Sequence, residues 1–418
     1  MIKEELKKGV SLCMIKDDKF KSFRACIMIH RPLLKEEVTL NTLLAATLRM
    51  QCEGYSSFDE ISATLEDLYG ADLIARASKY GEQQVIKIGI QAPFDSIIGE
   101  EGNFQKAMEL LKKITFYSGN DGVFSSKIVD TEKKNIEDSI LAQKNDKRTY
   151  STLRLQEEMC KNEPYGINPL GYIEELKKID CDKLWNHYKK VLCESKIDII
   201  FTGNFCEETA KKAAKDFASE LNEREYSSVK YERKEAPDKA KTVTDYMDVT
   251  QGKLCLGFRA PEGIKKEKYA SAILYNTIFG GSATSKLFNN VREKLSLCYY
   301  VSSNLDRLKE IMIVRSGVEF ENFEKAYNEI LAQQSEMCSG SIEQDEIDAA
   351  KKFLKGTYSS NYDSIAAMEE YYTMQLLIGS DTYIEEMVDA IEKVTKDDIV
   401  NIANGMKLDT IYYLDAER

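Results

Sequence analysis

The sequence predicts an α+β protein made of two homologous domains. Three observations carry this prediction: short β-like runs alternate with long helical patterns, one order of elements occurs twice, and a polar stretch separates the two copies. Alternating and amphipathic periods are the main signals of strands and helices in a sequence. A repeated order of this length indicates a duplicated domain.

Each element of the first half has its own signal. The strand FRACIMIHRP precedes the helix TLNTLLAATLRM, and the helix FDEISATLEDLYG follows a turn at Gly54. The strands ADLIARAS and QQVIKIGIQA come next, then the helix FQKAMELLKKITF. Apolar residues at helical spacing mark the helices, and runs of β-branched residues mark the strands. The half closes with the helix CDKLWNHYKKVL and the strand KIDIIFTGNF.

The second half follows the same order. The strand KLCLGFRAP precedes the helices KYASAILYNTIFGG and SKLFNNVREKLS, and the strands CYYVSS and EIMIVRSGV follow. The helix FEKAYNEILAQQ comes next, and the half closes with the helix KDDIVNIANGM and the strand LDTIYYLDAE. We therefore expect two copies of one fold.

A polar, charged stretch around Pro237 lies between the copies and has little apolar periodicity. Such composition is typical of a surface linker. The sequence thus predicts a first domain over 1–222, a linker over 223–245 and a second domain over 246–418. We expect the domains to face each other across a cleft, a favoured place for ligands.

Composition excludes several classes of protein. The formal net charge of −12 is the wrong sign for a nucleic-acid binder. No apolar run is long enough for a membrane span, and the charged start lacks the apolar core of a secretory signal. The ten cysteines contain no CxxC pair, which indicates reduced thiols. We expect a cytoplasmic protein that binds neither membrane nor nucleic acid.

The chain has only two histidines, His30 and His187. Either is a candidate ligand or base, but neither has a second histidine at metal-binding spacing. Packed or surface histidines explain both positions better. The sequence contains no P-loop and no Gly-x-Ser-x-Gly elbow. A spatial cysteine–histidine pair stays open as a third, weaker possibility.

The segment GGSATSKLFNNVREKLSLCYY, beginning at Gly280, resembles the C-terminal pattern of the M16 zinc peptidases, the insulinase, pitrilysin and mitochondrial processing peptidase family. The segment EPYGINPLGYIEELKKID and the later IIFTGNF resemble the end of that family's first domain. The resemblance covers nearly the whole chain. It implies two α+β sandwich domains of the LuxS/MPP-like metallohydrolase type, each a sheet with helices on one side.

Active members of that family carry His-x-x-Glu-His on the first helix of the N-terminal half. Histidines four residues apart lie on one helical face and share a zinc ion, and the glutamate activates the bound water. Alignment through Gly54 puts the histidine positions at Ala45 and Arg49, the base at Leu48 and the third ligand near Ser139. The resemblance therefore implies no zinc, no other cofactor and no peptide hydrolysis by this chain alone.

The same family contributes an arginine and a tyrosine from its C-terminal half to bind substrate. The matching positions are Arg292 and Tyr299, with Tyr300 as a neighbouring candidate. A guanidinium and a phenol can hold a peptide carbonyl. The residue types also fit a helix end and a strand without any function. The family's substrate-pairing edge strand would correspond to Leu73–Ser78.

The resemblance implies a partner. Some bacterial members work as heterodimers in which one chain carries the zinc motif and the other the Arg/Tyr pair. The segments FKSFRACIMIHRPLL and LEDLYGADL resemble the inactive-domain bacterial subgroup, which is associated with elongation factor P modification. We therefore expect a peptide-binding partner of a zinc-motif paralogue, or a self-associating chain. The alternative is a structural or peptide-binding scaffold without a role in proteolysis.

Overall fold

The computed structural model describes residues 1–119, 122–226, 229 and 231–417, which form two compact units. Unit 1 comprises 1–142, 167–230 and 364–373, and unit 2 comprises 143–166, 231–363 and 374–418. Each unit is built on one sheet with helices packed against it. The predicted α+β class with two related domains is confirmed.

The sheet of unit 1 has six strands in the order β1-β2-β6-β3-β5-β4. The strands are β1 (Ile2–Lys7), β2 (Val10–Lys16), β3 (Ser22–Pro32), β4 (Asp72–Tyr80), β5 (Gln83–Pro93) and β6 (Lys196–Gly203). Strands β2 and β6 are parallel, and the other neighbours are antiparallel.

The sheet of unit 2 repeats this arrangement in the order β7-β11-β8-β10-β9. The strands are β7 (Lys241–Met247), β8 (Gly252–Arg259), β9 (Cys298–Asp306), β10 (Ile311–Val318) and β11 (Lys407–Ala416). The pair β7 and β11 is parallel, and the other neighbours are antiparallel. The order and directions match β2-β6-β3-β5-β4, which is the duplication that the sequence predicts.

The α-helices include most of those that the sequence predicts and several that it does not. They are α1 (Val38–Leu48), α2 (Phe58–Asp67), α3 (Asp95–Ile98), α4 (Asn103–Phe116), α5 (Ser126–Asn145), α6 (Lys147–Met159), α7 (Ile173–Leu176), α8 (Cys181–Glu194), α9 (Glu207–Ser219), α10 (Tyr269–Asn276), α11 (Phe323–Ser339), α12 (Gln344–Ser360), α13 (Ile365–Leu377), α14 (Ile384–Glu392) and α15 (Lys396–Gly405). None of the described helices has the length and apolar character of a membrane span.

Two predicted α-helices of the second half differ in the structure. The helix α10 continues as a π-helical turn over Thr277–Gly281, and the next helix is π-helical over Leu287–Lys294. Gly280 lies against Leu287 and Ser303, where an added Cβ would come within 2.8 Å and 2.7 Å of side-chain atoms. Glycine at this position allows the close approach.

The predicted linker over 223–245 is partly structured. Strand β7 begins inside it at Lys241, and its alternate residues are exposed. An edge strand with a polar outer face gives no apolar run, so the sequence signal is that of a linker. Residues 227, 228 and 230 of this stretch lie outside the described residues.

The compact units also differ from the predicted division into 1–222 and 246–418. Residues 143–166, from the first half of the sequence, belong to unit 2, and residues 364–373, from the second half, belong to unit 1. Within unit 2, Leu155 and Met159 of α6 pack on Cys255 and Tyr412. Both sheets thus carry helical segments on the two faces, whereas the resemblance implied helices on one face only.

A buried carboxylate anchors each of these two segments to its sheet. In unit 1, Glu369 lies 2.9 Å from both Arg24 Nε and Lys87 Nζ. In unit 2, Glu163 lies 2.5 Å from Arg259 Nη2 and 2.7 Å from Lys309 Nζ. All six side chains are buried. Because burial without partners would be very costly for these charges, the pairing fixes where each segment docks.

Replacing Glu369 with alanine leaves Arg24 buried without its carboxylate and leaves Lys87 with only the longer contact to Glu370, at 3.4 Å. We expect a loss of about 3–5 kcal/mol in the free energy of unfolding, measured in urea. Glu370→Ala is the matched control, because that neighbouring carboxylate is 43% exposed. Equal losses in the two variants would contradict the anchoring role of Glu369.

Candidate functional site

The positions of the missing zinc motif lie on α1 and just beyond it. Ala45 and Leu48 are 1% exposed and belong to the core of unit 1, whereas Arg49 is exposed at the end of the helix. Ser139 is exposed on α5, where its hydroxyl donates to the carbonyl of Asn135 at 2.7 Å. Two of the four positions therefore pack the core, and the other two face solvent.

A buried polar network attaches α1 to α8 and β5. The Oδ1 of Asn41 lies 2.7 Å from His187 Nε2, and its Nδ2 donates to Gln84 Oε1 at 2.9 Å. Gln84 donates in turn to the carbonyl of Pro169 at 3.0 Å. Burial lowers the pKa of His187 to about 4, so the imidazole is neutral at physiological pH. His187 is a packing residue of this network.

The other histidine, His30, contacts side chains of two neighbouring strands. His30 Nε2 lies 2.9 Å from Asp198 Oδ2, and its Nδ1 lies 3.2 Å from Gln83 Oε1. Burial opposes ionisation of Asp198, but His30 and Lys196 outweigh it and lower the pKa of this carboxyl to about 2. Across residues 1–119, 122–226, 229 and 231–417, no group of three or more His, Cys, Asp or Glu side chains has a metal-binding arrangement.

Arg292 and Tyr299 line the same pocket in unit 2. This open pocket has a volume of about 390 Å³, and its lining consists of Arg292, Glu293, Ser296, Leu297, Cys298, Tyr299 and Glu319. The Arg292 guanidinium lies 4.7 Å from the ring centre of Phe288, and Tyr299 is 61% exposed. A guanidinium and a phenol thus face the same space.

A tight turn fixes the spacing of these two side chains. The amides of Ser296 and Leu297 donate to the carbonyls of Arg292 and Val291, each at 3.0 Å. Ser296 has a φ of +49°, a conformation that non-glycine residues rarely adopt. Strained residues of this kind concentrate at functional sites.

Tyr299 occupies a β-bulge on an edge strand. On β10, Gly317 pairs with Tyr300, but the next residue, Val318, pairs with Cys298, so Tyr299 has no partner in the ladder. Strand β9 is the last strand of its sheet. A bulge redirects a side chain and is common beside active sites. The bulge explains why Tyr299 is exposed between two less exposed neighbours.

Tyr300, the neighbouring candidate, lies elsewhere. Its ring rests on Gly317, where an added Cβ would come within 2.5 Å of it, and the Arg148 guanidinium lies 4.4 Å from the ring centre. Tyr300 is half-buried and does not line the Arg292 pocket. Of the two tyrosines, Tyr299 is therefore the one that shares a pocket with Arg292.

Leu73–Ser78, the predicted substrate-pairing segment, falls within β4. Strand β4 is at the edge of its sheet and pairs only with β5 among the described strands. An edge strand offers unpaired backbone groups to a further strand.

Comparison with known proteins places these features in a family. A family model described as the peptidase M16 inactive domain matches residues 178–354, which include Arg292 and Tyr299. The probable inactive metalloprotease YmfF of Bacillus subtilis is 30% identical, over 97% of this chain and 96% of its own length. This chain belongs to the M16 peptidase family. It is a homologue that lacks the M16 zinc motif, since no histidine lies between His30 and His187.

Two further relatives extend this assignment. A crystal structure of a conserved protein from Enterococcus faecalis has a TM-score of 0.92 and 28% identity, covering 100% of this M16 chain and 98% of its own. An uncharacterised zinc protease of Bacillus subtilis, YmxG, is 23% identical over 58% of this chain and 60% of its own length. The M16 fold therefore extends over the whole chain.

Glu319 is a pocket residue that contacts Tyr299 and that the sequence did not indicate. It follows β10 directly and accepts a hydrogen bond from the Tyr299 hydroxyl. That hydrogen bond raises the pKa of Tyr299 above its ordinary value. The two residues are distant in sequence, and no motif links them, so only the strand pairing of β9 and β10 brings them together.

The buried His187 predicts a pH dependence of stability. Because its pKa falls from about 6.5 in the unfolded chain to about 4 in the folded chain, the unfolded state binds more protons between these values. Stability should therefore fall on acidification, by about 2 kcal/mol between pH 7 and pH 5 from this group alone. Urea unfolding of the wild type and of His187→Gln measures it. If the free energy of unfolding changes with pH by the same amount in the two proteins, this account is wrong.

Proposed function

We propose that this chain is the substrate-binding partner of a zinc-motif M16 peptidase subunit, and that the two together act on peptides. The observation that carries the proposal is the meeting of Arg292 and Tyr299 in one open pocket at a β-bulge. A guanidinium donates to a peptide carbonyl, and a phenol offers a further polar contact. The partner supplies the zinc ion and the water that attacks the peptide.

The exposure of Tyr299 favours a role in binding. Its ring is 61% exposed, so it contributes little packing to unit 2. Its Tyr300 neighbour, by contrast, packs on Gly317 and under Arg148. A bulge that turns a large aromatic side chain towards water adds little to the stability of the fold. Binding of a ligand to that side chain explains the bulge better.

The family supplies candidates for a zinc-motif partner. Bacillus subtilis has both YmfF, named as a probable inactive metalloprotease, and YmxG, named as an uncharacterised zinc protease. We propose that this chain pairs with a zinc-motif M16 protein of its own organism, with self-association as the alternative arrangement. Strand β4, an edge strand, is proposed as a second contact for an extended peptide.

The ten cysteines support a reducing compartment. None of the ten cysteines forms a disulfide bond, and six of them are buried: Cys13, Cys26, Cys52, Cys160, Cys255 and Cys298. Many cysteines without disulfide bonds are typical of proteins kept in a reducing compartment. We therefore propose that the protein works in the cytoplasm.

The second candidate function is a scaffold without a role in proteolysis. The intramolecular contacts of the pair favour it: Arg292 lies over Phe288, and Tyr299 donates to Glu319. Under this hypothesis the two side chains stabilise unit 2 and contact no peptide.

Peptide cleavage by the chain, by a zinc-motif M16 protein from the same organism, and by their mixture separates these hypotheses. We expect chelator-sensitive cleavage above that of the partner alone only in the mixture. Arg292→Ala should lower this cleavage roughly 100-fold, the usual effect of removing one charged polar contact to the reacting group. Tyr299→Phe removes one neutral hydrogen bond and should lower the cleavage roughly fivefold.

Matched variants control for unfolding. Tyr300→Phe removes a hydroxyl from the adjacent tyrosine, and Lys294→Ala removes a charge from the end of the same helix; both should retain activity. A mixture no more active than the partner alone would contradict the proposal and leave the scaffold. Equal losses in Tyr299→Phe and Tyr300→Phe would show that the effect is structural.

A further inference from the structure

Glu319 controls what Tyr299 can offer to a ligand. The Tyr299 hydroxyl has one proton, and it donates that proton to the Glu319 carboxylate. The phenol oxygen keeps its lone pairs, so in this arrangement it accepts hydrogen bonds and has no proton left to donate. Tyr299 alone, without Glu319, is free to do either.

Arg292 is a hydrogen-bond donor in the same pocket, whereas Tyr299 is an acceptor. A guanidinium has five N–H donors and no acceptor. The contact between Arg292 Nε and Glu293 Oε1 is long, at 3.5 Å, and the plane of the guanidinium lies over Phe288. Because the Arg292 side chain is 42% exposed, donors of the guanidinium remain accessible to a ligand in the pocket.

One donor and one acceptor in the same pocket match one residue of an extended peptide. The N–H and the C=O of that residue point to the same side of the strand, whereas those of one trans amide group point to opposite sides. A carbonyl meets the guanidinium, and an N–H meets the phenol oxygen. The two carboxylates that line the pocket, Glu293 and Glu319, oppose an anionic side chain at this place.

We infer that Glu319 is a positioning residue that fixes Tyr299 as a hydrogen-bond acceptor, so that Arg292 and Tyr299 together bind the main chain of an extended peptide. This inference rests on the proposed function and specifies its ligand: the backbone of a peptide, with a free N–H at the position opposite Tyr299. Glu319 itself does not contact the peptide.

A purely structural role of Glu319 is the competing explanation. Its backbone carbonyl accepts the Asn322 amide at 2.9 Å, which shapes the turn after β10 whatever the side chain is. The side chain reaches back to β9 through Tyr299. A variant that keeps an acceptor at this position therefore separates the two explanations.

The test uses the mixture of this chain with the zinc-motif M16 protein and a fluorogenic peptide that the mixture cleaves. A series of versions of that peptide carries one N-methyl group each, at successive backbone nitrogens. KM and kcat are measured for the wild type, Glu319→Ala, Glu319→Gln and the control Glu321→Ala. Glu321 lies in the same turn but does not line the Arg292 pocket. Equal thermal unfolding midpoints show that the variants are folded.

For the wild type we expect one N-methyl position to raise KM roughly fivefold, the usual cost of one lost neutral hydrogen bond. Glu319→Gln retains an acceptor for the phenol proton and should keep this penalty, as should Glu321→Ala. In Glu319→Ala the penalty at this position should become smaller, because the Tyr299 hydroxyl is then free to rotate and is no longer fixed as an acceptor. A structural role of Glu319 would not produce this dependence on a single peptide nitrogen.

Three outcomes would overturn the inference in distinguishable ways. N-methyl penalties that are the same at every position in Glu319→Ala and in the wild type would show that Glu319 does not orient Tyr299. No N-methyl penalty at any position, with activity still dependent on Arg292 and Tyr299, would refute main-chain recognition and leave the proposed function standing. A mixture no more active than the partner alone would overturn both.

Discussion

Two buried carboxylates hold the architecture together. Glu369 between Arg24 and Lys87, and Glu163 between Arg259 and Lys309, each attach a segment from one half of the sequence to the sheet of a unit built mainly from the other half. Burial alone would raise the pKa of Glu369, yet Lys87 and Arg24 lower it below the ordinary value. Docking of either segment in another position would leave a buried charge without its partner, which is costly.

Much of the fold could be predicted from the sequence, because the strands and helices that line the cores have strong periodic signals. Strand β3, buried on nearly every residue, and the amphipathic α4 are examples. The sequence does not predict strand β7, because its alternate residues are exposed at a sheet edge. It also does not predict that residues 143–166 and 364–373 each belong to the unit built mainly from the other half of the sequence. This arrangement depends on contacts such as Arg24 to Glu369, 345 residues apart, which no local pattern records.

The candidate site, like the fold, could be predicted from the sequence only in part. Resemblance to the M16 family indicated Arg292 and Tyr299, and composition alone excluded a histidine-based zinc motif on α1. Ala45 and Leu48 instead extend the core, while Asn41 joins a buried network with Gln84 and His187. The bulge at Tyr299 and its hydrogen bond to Glu319 depend on the register of β9 and β10. Register is a property of paired strands, so one sequence without its fold does not reveal it.

The central claim is that a peptide lies in the pocket of Arg292 and Tyr299 while a zinc-motif partner is present. Photo-crosslinking tests it most directly, with p-benzoylphenylalanine at Leu295, which is 45% exposed and lies between Lys294 and Ser296 in the turn to β9. The same residue at the exposed Phe353 of α12 is the control. The account predicts that a labelled peptide crosslinks to position 295 in the mixture and far less to position 353. The account is contradicted if position 295 crosslinks to the zinc-motif partner and not to the peptide. It is also contradicted if the peptide crosslinks equally to positions 295 and 353.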